Sequence, residues 1–109
     1  MIPQKQLNRH DPDNGVYGDC DRTCIACILD LNVENVPHFM DGVVSTNQKE
    51  AFSKRTNWLA NKGLRETQEM ISGSHSIDEV LDIQGKYNPG IYYRLFGTSG
   101  SGVNHFVVC

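Results

Sequence analysis

The chain has 109 residues and a mass of 12.2 kDa, with ten Lys plus Arg against thirteen Asp plus Glu for a net charge of −3, and 39% of its residues are apolar. That length holds one domain, spanning 1–109, with a small core, and excludes a full TIM barrel or dinucleotide-binding domain. No stretch approaches the ~20 apolar residues of a membrane span, no apolar run near the N-terminus could act as an export signal, and the acidic balance argues against non-specific nucleic-acid binding.

Residues 1–18 are polar and contain Pro3, Pro12, Gly15 and Gly18, which predicts an extended arm or loop. Asp19 is placed to cap a helix running from Cys20 to about Leu31. Within it Cys20, Cys24, Cys27, Ile28 and Leu31 recur at the spacing of one buried stripe. Ile25 and Leu29 widen the apolar side, so this helix is expected to be central. Residues 32–39 read as a short turn and a weaker helical start ahead of Pro37. From Thr46 or Asn47 to about Lys62 a second helix is predicted, anchored by Phe52, Trp58 and Leu59 and ended by Gly63. A short strand over 64–70 and a turn at 72–76 follow. Ser76 then either caps a single helical turn, 77–81, or precedes another strand. Segments 90–96 (GIYYRLF) and 103–109 (VNHFVVC) are rich in β-branched and aromatic residues and are joined by GTSGSG, which is a hairpin signal. Helices followed by antiparallel strands give the α+β class.

Three of the four cysteines, Cys20, Cys24 and Cys27, fall within eight residues, and the fourth is Cys109. A secreted disulfide scaffold spreads its cysteines between loops, and neighbours on one helix point the wrong way to pair, so a reducing, cytoplasmic compartment is expected. Cys20 stands in the first turn of the central helix, where unpaired N–H groups and the macrodipole favour a thiolate. Asp19 opposes that unless its carboxylate is turned away. His105 lies in the last predicted strand. A cysteine opening a helix with a later histidine on a sheet is the papain order, in which the imidazole takes the thiol proton.

The run Gly18-Asp19-Cys20, the motif Val36-Pro37-His38-Phe39, the helix segment Trp58-Leu59-Ala60 and the terminal His105-Phe106-Val107-Val108, with Pro3-x-x-Gln6 ahead of them, resemble a family of small bacterial and phage proteins related to papain-like cysteine peptidases. The resemblance is scattered over nearly the whole chain and is most specific between Cys20 and Phe39. It implies a papain-like fold, a central helix packed on a small antiparallel sheet. It also implies a thiol hydrolase acting on an amide or isopeptide bond of a peptide or host-protein substrate, in a bacterium or a phage-infected host. Cys20 matches the nucleophile, His105 the general base and Gln6 the side-chain amide that helps the Cys20 N–H hold an oxyanion, a donor worth roughly 3–4 kcal/mol where measured. No metal or organic cofactor is implied. The family continues past its histidine strand to a residue that orients the imidazole. This chain stops at Cys109, so an earlier side chain takes that role, the chain is C-terminally truncated, or turnover is lost.

Other readings compete. Cys20 and His105 also suit core packing, and Gln6 an exposed arm. A non-catalytic phage or bacterial interaction protein on the same fold is the main alternative, its last strand offering an edge to a partner. Cys20-x3-Cys24-x2-Cys27 matches the radical-SAM cluster spacing, but that chemistry needs a barrel of about twice this length. A zinc-stabilised domain using the three thiols with His10 or His38 asks ligands along one helix face to converge tetrahedrally. Cys24 and Cys27 read as core, since free cysteine behaves as a small hydrophobe. The calcium-like run from Asp11 to Gly15 lacks the ligand spacing, and the glycine-rich 97–102 lacks the lysine of a phosphate cradle.

Overall fold

The computed structural model describes residues 1–68, 75–98 and 104–108, with residue 98 and residues 104–108 described by their backbone. Among the described residues three α-helices and one antiparallel pair of strands follow in chain order: α1 Cys20–Leu29, α2 Gln48–Asn61, α3 Ile77–Tyr87, β1 Arg94–Thr98 and β2 Asn104–Val108. The class is therefore mixed and helix-dominated. Among the described residues no helix is long and apolar enough to cross a membrane.

Helix α1 is the centre. Thr23, Cys24, Ile25, Ala26 and Cys27 are all buried, so the helix is enclosed on nearly every side rather than along one stripe. Cys20 and Ile28, expected on that stripe, are half-buried, whereas the charged Asp21 is buried. Ile25 and Ala26 form the core with Val33 and Val36, against which Leu29, Leu31, Phe39 and Trp58 pack. Phe39 and Trp58 meet edge to face at 5.8 Å between ring centroids.

Helix α1 ends two residues earlier than its apolar pattern suggests. Asp30 takes a left-handed conformation (φ 55°), the Leu31 N–H donates to the Ala26 carbonyl at 2.9 Å, and the Asp30 N–H reaches the Cys27 carbonyl. That pair of bonds is a Schellman terminus, which satisfies the last carbonyls and reverses the chain into the short 3-10 turn Val33–Asn35. Helix α2 ends in the same way on Gly63 (φ 74°), with Gly63 N–H to Ala60 O at 2.9 Å and Leu64 N–H to Leu59 O at 3.0 Å. Its buried positions are Ala51, Arg55 and Leu59, at i, i+4 and i+8, while Phe52 is on the exposed side and does not anchor it.

Three expectations are corrected. The described part of 64–70 is not a strand, and 69–70 lie outside the described residues, as does most of the turn expected at 72–76. Ser76 starts a full three-turn helix, not a single turn. Its Oγ accepts from the Glu79 N–H at 3.2 Å while the Glu79 carboxylate reaches back to the Ser76 N–H, a complete capping box. The hairpin exists but is displaced: residues 90–93 precede β1, and Gly97 and Thr98 belong to it, with Gly97 opposite His105 and Arg94 opposite Val108. Residues 99–103 and 109 lie outside the described set. Strand β2 lies alongside α1, and this brings the end of the chain back to its central helix.

Candidate active site

The N-terminal arm is fastened along α1 by side chains that the apolar pattern does not reveal. At the exit of the helix, the Gln4 amide donates to the Leu31 carbonyl and accepts from the Val33 N–H at 3.1 Å. At its entrance, the Asp19 carboxylate accepts from the backbone N–H groups of Leu7 at 3.3 Å and Asn8 at 3.0 Å. Asp19 thus stands at the N-cap position without capping: its carboxylate accepts from no backbone N–H of the first turn of α1 and is wholly buried against the arm. The Arg22 guanidinium, 3.1 Å away, pairs with it and also donates to the Val36 carbonyl at 3.3 Å. The negative charge next to Cys20 is therefore committed to two amides and a cation.

Gln6 is half-buried, and its Nε2 donates to the Asn8 carbonyl at 2.6 Å; the Asp19 N–H reaches the same oxygen. This shared acceptor brings the Gln6 amide beside the Gly18–Asp19 peptide, one residue ahead of the Cys20 N–H, and a side-chain amide carries two hydrogens. Cys20 is a free, half-buried thiol at the first residue of α1.

The residues on either side of the 18–20 motif reach the motif at 36–39. His38 Nε2 donates to the Tyr17 carbonyl at 2.9 Å, and Arg22 bonds to Val36. Gly18 donates to His10 Nδ1 at 3.2 Å, and a Cβ at Gly18 would stand 3.0 Å from the His10 Cβ and 3.1 Å from its backbone nitrogen. A side chain at Gly18 would push the arm at His10 back by a few tenths of an ångström. His10 in turn packs edge-on to Tyr17 at 5.7 Å.

Immediately after Cys20, Asp21 opens an ion cluster that is buried at Asp21 and Arg55 and open to solvent at Glu66. Arg55 of α2 donates to Asp21 Oδ1 and to Glu66 Oε1, each at 3.0 Å, and Arg94 of β1 bridges the same two carboxylates through Asp21 Oδ1 and Glu66 Oε2. Asp21 Oδ2 and Arg55 Nε are buried without a hydrogen-bond partner among the described residues. The Cys24 thiol, one turn beyond Cys20, is pushed up to about 12 by burial, against a smaller lowering by Arg94. It is inert core.

The described residues thus join Gln6 to the start of α1 and lay the strand of His105 beside that helix; the His105 side chain lies outside the described set. Among the described residues no three His, Cys, Asp or Glu side chains are grouped to hold a metal ion. A shallow depression between Phe39, Asn47, Ala51 and Lys54 is lined by neither Gln6 nor Cys20.

Sequence reasoning missed Asp19's clasp and the four-residue ion cluster. Signals existed: Asp21 lies one turn ahead of the apolar run Cys24–Leu29, and Arg55 sits at i+4 between Ala51 and Leu59. Comparison with known protein families, with curated proteins and with solved structures finds no match.

Proposed function

We propose that the chain is a thiol hydrolase of papain-like architecture that cleaves an amide or isopeptide bond. The Cys20 sulfur attacks the carbonyl carbon and passes its proton to His105; the amine leaves with that proton, and water then hydrolyses the thioester to return the free thiol. The Cys20 N–H and the Gln6 amide hold the oxyanion. The observation that carries this reading is the setting of Cys20. It is a half-buried thiol at the first residue of an enclosed helix, with its neighbouring carboxylate neutralised by Arg22 and the strand of His105 running beside that helix. Orphan N–H groups at such a helix start favour an anionic sulfur and a developing oxyanion alike.

Labelling with a panel of peptidyl vinyl sulfones tests it, with the adduct located by peptide mapping. The expected result is one adduct on Cys20, lost in Cys20→Ser and slowed about a hundredfold in His105→Ala. Labelling that ignores His105→Ala contradicts the mechanism. A second reading, a non-catalytic interaction module, draws on the exposed apolar residues Ile91, Tyr92 and Phe96 around the start of β1. It predicts a stoichiometric complex with a protein partner that survives Cys20→Ala.

A further inference from the structure

We propose that the Asp21–Arg55–Glu66–Arg94 cluster is the positioning device of the Cys20 site, fixing the hairpin that carries His105 to the first turn of the helix that carries Cys20. The proposal rests on the Cys20–His105 reading above and deepens it. Each guanidinium spans both carboxylates, so the four side chains close a ring that joins α1, α2, the 64–68 segment and β1. A planar, forked cation holds two carboxylates in one mutual orientation, which a lysine ammonium does not.

Its place in the chain gives the ring its role. Asp21 directly follows Cys20, and Arg94 stands opposite Val108, three residues along β2 from His105. The distance between a sulfur on α1 and an imidazole on β2 therefore depends on where Arg94 meets Asp21. Burial points the same way. The side chains of Asp21, Arg55 and Arg94 are 4%, 10% and 12% exposed, and a buried ion cluster is a poor source of stability compared with apolar residues of equal volume, whereas it does impose a geometry. Asp21, Arg55, Glu66 and Arg94 touch no substrate in this account; they are positioning residues.

The test is the pH profile of Cys20 alkylation by iodoacetamide, read by peptide mapping in the full chain. Wild type is expected to alkylate at pH 6, and His105→Ala to lose that acid limb. Arg94→Lys, which keeps the charge and loses the fork, is expected to slow alkylation at pH 6 by about tenfold or more while leaving the rate at pH 9.5 within about twofold, the signature of a misplaced partner and not of a damaged thiol. Glu66→Gln, at the more exposed corner of the ring, shows the same change in smaller measure and decides the matter if Arg94→Lys does not fold. Val33→Ala, which loosens the core away from the ring, keeps the wild-type profile. If His105→Ala loses the acid limb while folded Arg94→Lys and Glu66→Gln both retain it, the positioning role is overturned and the hydrolase reading stands. If His105→Ala itself leaves the profile unchanged, the hydrolase reading falls and the positioning role falls with it.

Discussion

Helices α1 and α3 have ten and eleven residues and opposite reasons to exist. Helix α3 carries every local signal: a capping box at Ser76 and Glu79, Asp78 and Glu79 in its first turn, Lys86 in its last, and a His75–Glu79 pair at 3.1 Å. None of its residues is buried, and Ile77 and Tyr87 are largely exposed. Helix α1 has no side-chain cap and ends on a left-handed aspartate, yet it is enclosed by the arm, α2, the 3-10 turn and β2. Short helices are marginal on their own and are held either by local termini or by tertiary contacts. In this chain the two sources are divided between two helices, and the candidate site sits on the one fixed by its surroundings.

The largest expected effect that breaks this contrast is at Asp21. Asp21→Ala takes from the largely buried Arg55 and Arg94 one of the two carboxylates they share and should cost about 3–5 kcal/mol in chemical denaturation. A loss under about 1 kcal/mol would mean that α1 is not held by its ion cluster. Next is pH. The Cys24 thiol ionises near the ordinary value of about 9 in the unfolded chain and at about 12 when folded, because burial disfavours the thiolate. Its contribution is fully present below pH 9 and is lost between pH 9 and 12, so denaturation midpoints should fall across that window and fall less in Cys24→Ala.

Smaller changes are expected in α3. Ser76→Ala removes the acceptor for the Glu79 N–H and should cost about 1 kcal/mol of helix stability, seen as faster amide exchange confined to the first turn of α3. The Glu79 carboxyl is held below its usual range by its bonds to His75 and Ser76. The cap is therefore made above the ordinary carboxylate pKa and weakens as pH falls through the lowered one, with exchange in α3 rising at acid pH before it rises in α1. Smallest is Asp30→Gly. It relieves a left-handed residue while giving up an exposed pairing with the N-terminal amine at 3.2 Å, and should stabilise by roughly 0.5–1 kcal/mol.

The same contrast explains what could be read from the residues alone. The start of α1 at Cys20, the span of α2 and its glycine terminus are set by apolar spacing and one left-handed position, and these are visible in sequence. The Ser76-x-x-Glu79 box was equally visible, but the exposed helix behind it lacks a stripe with a partner to suggest its length. Asp19 looks like an N-cap because local chemistry favours that use; the arm, looping back from Leu7 and Asn8, wins the carboxylate with two backbone amides. The ion ring joins residues 21, 55, 66 and 94, and no local pattern links positions so far apart. Of the candidate site, the thiol at a helix start was legible. The neutralisation of Asp19 by Arg22 and the fastening of the hairpin through Arg94 come only from tertiary packing.

Thiol chemistry at this site requires Cys20 to be activated. Alkylation of Cys20 by iodoacetamide at pH 6, read by peptide mapping against an unstructured cysteine peptide under the same conditions, tests that most directly. The account predicts that native Cys20 reacts at least about ten times faster than the peptide while Cys24 and Cys27 stay unmodified; a Cys20 no faster than the peptide contradicts it.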